Sequence, residues 1–168
     1  MSSALFREIE AIQNPGLGGV LLWRFALGYA NARKVPSSTP LPVLFLPVAI
    51  LFHEQTFALV SSTQERSGLR GFASKFSDSG VRESDVLLSL ERRVRELRPL
   101  SLAAIRLAVA SRLLFIDPSN GEVVALSGTA PSGIPESVRG LVRNAEKLGT
   151  WCGGVTVFEL ASLLRIAF

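Results

Sequence analysis

An apolar run from Leu41 to Phe52, LPVLFLPVAILF, sets the strongest limit on how this chain folds. A membrane-spanning helix needs about 20 consecutive apolar residues. This run ends after 12 residues, because His53 and Glu54 follow it. We therefore expect a helix of the protein core, with Pro47 either kinking it or making it start late. No contact with a membrane is expected.

The composition predicts an apolar surface as well as an apolar core. Of the 168 residues, 48% are apolar and 19% are charged, and the mean hydropathy is +0.34. A domain of this size has too much surface for its volume to bury all of these side chains. We expect an exposed apolar patch that a partner covers.

Signals for export are not visible in the sequence. Arg7, Glu8 and Glu10 stand where a signal peptide needs an unbroken apolar stretch. The single cysteine, Cys152, cannot form an intrachain disulfide. These features favour the cytoplasm. The net charge of +4 permits binding to nucleic acid without requiring it.

The N-terminal half is predicted to be an apolar helical scaffold. Residues 2–13 have the apolar spacing of a helix or of an arm lying on the core. Asn14 and Pro15 are the N-cap and first residue of a helix over 15–33. This helix is apolar on most sides, so we expect it to be buried. Its glycines allow other backbones to approach closely.

Beyond residue 64, the apolar spacing predicts five more helices, at 65–77, 84–97, 100–112, 135–149 and 155–166. Ser84 is a candidate N-cap for the second of them, Pro99 is expected to stop it, and Gly149 is expected to end the fourth. The third helix has a predicted inward apolar face formed by Leu102, Ile105, Val109 and Leu113. By contrast, residues 34–41 are predicted to be a loop, and TFALV within 53–63 is a candidate short strand.

Residues 113–126, LLFIDPSNGEVVAL, predict a β-hairpin, because two apolar runs flank the turn residues 117–121. Three helices followed by a hairpin is the element order of a winged helix-turn-helix. The predicted fold is mainly α with a small β-hairpin. We expect one compact domain over 1–168, with candidate sub-modules at 1–63 (apolar scaffold), 64–130 (winged-helix-like) and 131–168 (C-terminal helices).

Residues that could carry chemistry are few. The only histidine, His53, is far along the chain from Cys152, so no metal-ligand spacing exists, and no Ser or Cys triad is recognisable. We expect His53 to cap a helix and Cys152 to be a buried thiol. The glycine-rich string 15–19 lacks the Lys-Ser/Thr of a phosphate-binding loop. The sequence therefore predicts a protein without a cofactor that is not an enzyme, although an enzyme on an unrecognised fold stays an alternative.

Basic side chains are the candidate contacts to a partner or to DNA. The candidates are Arg66, Arg70, Lys75, Arg92, Arg93 and Arg95. If the winged-helix prediction is right, they could contact phosphates or an acidic partner. The alternative is a solvated face held by ion pairs four residues apart, such as Glu91 with Arg95.

Three segments carry a resemblance to a known family. They are NPGLGGVLLWRF at 14–25, PLPVLFLP at 40–47 running on to Leu51, Phe52 and His53, and AEKLGTW at 145–151, before a short helix with Val157 and Phe158. In these segments the chain resembles the middle component of three-component ABC systems. That family includes the small third subunit of Lamassu-type defence systems. The order and spacing agree over nearly the whole chain.

The resemblance implies a role inside a larger complex. Such systems pair an SMC-like or Rad50-like ABC ATPase with a middle component and an effector, often a nuclease. The resemblance implies an adaptor that joins these two partners, with duplex DNA of phage or plasmid origin reaching it through the complex. It carries over no catalytic residue, and we expect Trp23, Phe25 and Trp151 to be structural core. A stand-alone winged-helix regulator that binds DNA is the alternative function.

Overall fold

The computed structural model describes residues 14–33, 38–77, 83–129 and 132–168, apart from the side chains of 76, 77 and 83–88. The predicted amphipathic segment 2–13 lies outside the described residues. The helices within them are α1 (Pro15–Asn31), α2 (Leu46–Leu51), α3 (Glu54–Ser62), α4 (Gly68–Ser77), α5 (Glu83–Glu96), α6 (Arg98–Ala110), α7 (Glu136–Gly153) and α8 (Val157–Leu164). Two 3₁₀ turns, Leu41–Phe45 and Glu65–Ser67, and three strands, β1 (Thr39–Pro40), β2 (Leu114–Asp117) and β3 (Glu122–Ala125), complete the described elements.

The prediction of a mainly helical fold with a small hairpin is confirmed. One continuous apolar cluster draws side chains from both the N-terminal and the C-terminal helices. The winged-helix-like arrangement and the division into 1–63, 64–130 and 131–168 stay predictions. Along the described part of the chain, no single helix is long and apolar enough to cross a membrane. One pair, Leu41–Leu51 with Glu54–Ser62, reaches that length and composition only together, across a bend of 100°.

Helix α1 is the central element of the core. Asn14 caps it as predicted: its side-chain oxygen accepts hydrogen bonds from the backbone N–H groups of Gly16 (2.9 Å) and Leu17 (3.2 Å). Most of its residues are buried, among them Trp23 and Phe25, which are 5% and 0% exposed. The expectation of a helix buried on most sides is confirmed.

Glycines bring α1 and α7 into direct backbone contact. A Cβ atom added at Gly28 would overlap the carbonyl oxygen of Glu146, and one added at Gly149 would overlap that of Phe25. Helix α7 continues past Gly149 to Gly153, so the prediction that Gly149 ends its helix is wrong. Gly149 serves instead as the point where another backbone passes too closely for any side chain.

The apolar run 41–52 forms a 3₁₀ turn followed by α2, in which Pro47 lies in the first turn. Of the two alternatives for Pro47, the late start is confirmed, because proline needs no N–H bond in the first turn of a helix. Every residue of α2 is buried. The suggested strand within 53–63 is wrong: these residues form α3, which His53 caps by accepting from the Thr56 N–H at 3.5 Å.

The predicted hairpin is present, and a strand from the N-terminal half joins it. The sheet has the order β1-β3-β2 and is antiparallel throughout. At the turn, the side chain of Asp117 accepts from the Ser119 N–H and that of Asn120 from the Glu122 N–H, both at 2.9 Å, and Gly121 has a φ of +71°. Strand β1 lies in segment 34–41, for which the sequence predicts a loop. A strand of two residues is too short to show the alternation of apolar and polar residues that predicts a strand.

Two helix boundaries differ from the prediction. Ser84 lies inside α5 rather than at its N-cap, since the helix begins at Glu83. Pro99 is in the first turn of α6, and α5 already ends at Glu96. Proline tolerates that position because the first N–H groups of a helix have no partner within it.

Candidate interaction surfaces

Helix α6 packs its small side chains inward. Ala104 and Ala108 are buried against α1, where a Cβ added at Gly18 would lie 2.9 Å from the Ala104 Cβ. A Cβ added at Gly19 would lie 3.2 Å from the Ala104 carbonyl oxygen. Glycine on one helix and alanine on the other allow the two backbones to approach closely, and this contact fixes which side of α6 faces the core.

Three large apolar side chains of α6 consequently point away from the core, whereas Leu100 and Ile105 are buried. Leu102, Leu107 and Val109 are 40%, 43% and 38% exposed. The predicted inward face is therefore wrong for Leu102 and Val109, whereas Ile105 is buried at 5%. A helix that buries alanine and exposes leucine leaves apolar area uncovered, which is typical of a surface that binds another molecule.

The outer face of the hairpin is apolar as well. Phe115 and Val124 are directly opposite each other on β2 and β3, and they are 50% and 43% exposed. Leu126 is 53% exposed, and its N–H donates to the Leu113 carbonyl at 3.0 Å, so these two residues continue the same face. Side chains alternate between the two faces of a strand, so this face is opposite the one that buries Leu114.

The segment that carries most of these apolar side chains contains arginines and no carboxylates. Residues 97–116 contain Arg98, Arg106 and Arg112 and neither Asp nor Glu. In the described part of the chain, Arg106 and Arg112 form no ion pair, and the Arg98 guanidinium lies 5.7 Å from the centre of the Phe45 ring. We call the set Leu102, Arg106 and Val109 the α6 face.

The predicted arginine cluster on α5 divides into two environments. Arg92 and Arg95 are exposed, and each forms an ion pair four residues away, Arg92 with Glu96 and Arg95 with Glu91. The predicted Glu91–Arg95 pair is thus confirmed. Exposed pairs of this kind contribute little to stability, so these two arginines stay available to other partners.

Arg93 differs from its neighbours because its three guanidinium nitrogens are buried. None of them has a hydrogen-bond partner within the described residues. Burial lowers the pKa of Arg93 to about 10, and burial together with the Arg93 charge lowers the pKa of His53 to about 4. Its predicted contact with a partner or with DNA stays a prediction, and it would require this enclosed guanidinium to become exposed.

Among the basic residues of the 65–77 region, Arg70 is linked to α8, which carries an exposed aromatic ring. Arg70 forms an ion pair with Glu159 on α8, at 2.6 Å. The next residue along α8 towards the N-terminus, Phe158, is 86% exposed. Arg66 bonds to the Gln64 side chain, and Lys75 donates to the Ser62 hydroxyl at 3.1 Å. Sequence spacing alone did not single out Phe158 as a surface residue.

Two tryptophans hold distant segments together. The Trp23 indole N–H donates to the Ser127 carbonyl, and the Trp151 indole N–H to the Glu65 carbonyl, both at 2.8 Å. Trp151 is 3% exposed, and the neighbouring Cys152 is completely buried. Burial raises the pKa of the Cys152 thiol, so it stays protonated and unreactive.

A cleft among the described residues is bridged by hydrogen bonds between helices. It encloses about 640 Å³ between α3 and α7, and there Lys147 donates to the Thr63 carbonyl at 3.1 Å and Asn144 to the Ser61 hydroxyl at 2.9 Å. These bonds join the two helices. No group of three or more His, Cys, Asp or Glu is placed to hold a metal ion, within the ranges that the structure covers.

Within the described residues, exposed apolar side chains and arginines without an ion pair lie on a small helical scaffold, which is typical of proteins that bind other molecules. The family model of the ABC-three component (ABC-3C) system Middle Component 3 matches residues 2–168, and the chain belongs to that family. It is a middle component of ABC-3C systems, and the family name implies the other components, an ABC ATPase and an effector, as partners. No curated protein and no solved structure matches the chain.

Proposed function

We propose that this chain is the non-catalytic adaptor of a bacterial defence complex of the Lamassu type, acting in the cytoplasm. It joins an SMC-like or Rad50-like ABC ATPase to an effector, often a nuclease, and holds the effector inactive until the ATPase engages foreign duplex DNA. Membership of the middle-component family supports this function, because that family name places the chain beside an ABC ATPase.

The observation that carries the proposal is the presence of exposed apolar features on separate helices. The α6 face forms one, and Phe158 on α8, which precedes the Glu159 that pairs with Arg70, forms the other. An adaptor must contact two partners at once, and exposed aromatic and arginine side chains are the residue types that dominate binding energy at such interfaces.

Omission of one subunit tests the adaptor role directly. The three components are co-expressed with a tag on the ATPase, and the purified material is analysed by size-exclusion chromatography. We expect all three proteins in one peak, and loss of the effector from that peak when this chain is left out. An effector that stays with the ATPase without this chain contradicts the proposal.

The alternative is a stand-alone winged-helix regulator, and the order α4, α5, α6 and hairpin favours it, with Arg106 and Arg112 exposed at the third helix and its end. That function requires the isolated chain to bind duplex DNA with an affinity that falls steeply as salt increases. Titration of labelled duplex at several salt concentrations distinguishes the two functions, and absence of binding by the isolated chain removes the alternative.

A further inference from the structure

An apolar groove lies beside the α6 face. The groove encloses about 510 Å³ and is lined mostly by apolar side chains, including Phe45, Val94 and Leu102. Leu102 belongs to both the groove and the α6 face, so the two are continuous. Arg95 and Arg98 also line the groove.

We propose that the α6 face and this groove are the docking site for an acidic amphipathic helix from another component of the complex. The inference rests on the proposed adaptor function and specifies the chemistry of one of its partners. The partner helix places an apolar side chain in the groove and its carboxylates against Arg98 and Arg106.

Geometry favours a helical partner. The exposed positions 102, 106 and 109 recur at the spacing of one side of a helix, and α6 is 13 residues long, about 20 Å. The row from 102 to 109 spans about 10 Å and accepts about two turns of a second helix whose apolar residues recur every three or four positions. Phe168, which is 47% exposed, lies at the groove and adds aromatic area to it.

The charges favour an acidic partner. Residues 97–116 carry three arginines and no carboxylate, so an incoming carboxylate meets no like charge from this segment. A surface on which arginine lies beside leucine and valine is poorly suited to binding DNA. The phosphates would pair with the arginine, but the apolar side chains would stay in contact with interfacial water. A protein helix can pair the arginine charges and cover the apolar side chains at the same time. Its carboxylates pair with guanidinium groups while its apolar face covers Leu102 and Val109.

The test uses two single variants, Leu102→Glu and Arg106→Glu, in the full chain with its co-purified partners. Arg139→Glu on α7 is the matched control, because Arg139 is also an exposed helical arginine and its ion pair among the described residues is with Glu136. We expect each α6 variant to weaken binding to one partner at least tenfold and the control to stay within twofold of the unaltered chain. Thermal melts followed by circular dichroism establish that all variants fold.

Photocrosslinking identifies the occupant. A photoreactive phenylalanine analogue at position 102 or 109 should link to a partner peptide rich in Asp or Glu with apolar residues three or four positions apart. Crosslinks to residues 2–13 of the same chain, to DNA, or to a peptide without carboxylates would each overturn the inference. If the unaltered complex assembles and both α6 variants bind normally, the docking site is wrong while the adaptor function stands. If the unaltered chain binds no partner, the adaptor function itself fails.

Discussion

Replacing Gly149 with alanine should separate the two helices at the centre of the protein. In the structure, a Cβ at position 149 would lie 2.9 Å from the carbonyl carbon of Phe25 and 3.0 Å from the backbone nitrogen of Tyr29, and closer still to the Phe25 oxygen. Non-bonded carbon atoms prefer separations of about 3.5–4.0 Å. The helices must therefore move apart by roughly 1 Å where they now touch.

The expected loss is large because the contact is backbone to backbone. Overpacking of a core costs about 1–3 kcal/mol, and more where the neighbour cannot rotate away. A peptide carbonyl within a helix cannot do so. Alanine recovers about 1 kcal/mol through its better helix propensity. With an overpacking cost at the upper end, about 3–4 kcal/mol for a neighbour that cannot move aside, the balance is a decrease of about 2–3 kcal/mol in the free energy of unfolding, or about 4–12 °C in the melting temperature for a chain of this size.

Gly154→Ala is the control, because a Cβ there would meet its nearest atoms at 3.5 Å, an ordinary contact. Urea unfolding followed by circular dichroism gives both free energies from transition midpoints and slopes. We expect Gly149→Ala to be clearly less stable and Gly154→Ala to stay within about 1 kcal/mol of the unaltered protein. Equal stability of the two variants would refute the argument that Gly149 exists for close helix packing.

Three further variants test other parts of the structure. Trp151→Phe removes the indole N–H and should lower the unfolding free energy by about 1 kcal/mol in urea titrations, because the partly buried hydrogen bond to the Glu65 carbonyl is lost; no change would mean that this bond contributes nothing. His53→Asn keeps a helix cap but cannot titrate. Since the folded-state pKa of His53 is about 4, below 6.5, the unaltered protein should lose up to about 3 kcal/mol as pH falls from 6.5 to 4, and the variant should not; parallel profiles would contradict this. Reversing Arg92 and Arg95 should leave the melting temperature nearly unchanged, whereas Arg93→Met should not lower it, because the substitution removes a buried charge that has no hydrogen-bond partner among the described residues; a lower melting temperature for Arg93→Met would show that the guanidinium has a partner.

Local signals predicted much of the fold. Asn14 and Pro15 fixed the start of α1, because capping depends on neighbouring residues alone. The turn residues at 117–121 predicted the hairpin for the same reason. The two prolines and the length of the apolar run indicated a core segment, and Pro47 does lie in the first turn of α2.

Errors arose where contacts distant in sequence override the local pattern. Glycine is common just after the end of a helix, yet Gly149 lies inside α7, where it contacts α1. Leu102 and Val109 have the spacing of a core stripe, yet the glycines of α1 select the alanine side of α6 instead. Single-sequence periodicity cannot foresee either result, because it contains no information about which backbones touch.

The candidate surfaces were only partly predictable. The excess of apolar residues indicated an exposed patch, but composition gives no position for it. Burial separates Arg93 from Arg92 and Arg95, although all three look alike in the sequence. Phe158 also needed the structure, because its exposure of 86% depends on which side of α8 packs against the core.

Mass photometry of purified components tests the adaptor role most directly. The ABC ATPase and the effector are mixed with and without this chain, and the masses of the resulting particles are counted. The account predicts a ternary particle only when the chain is present, and its loss with Leu102→Glu but not with Arg139→Glu. A particle containing ATPase and effector that forms equally well without this chain would contradict the account.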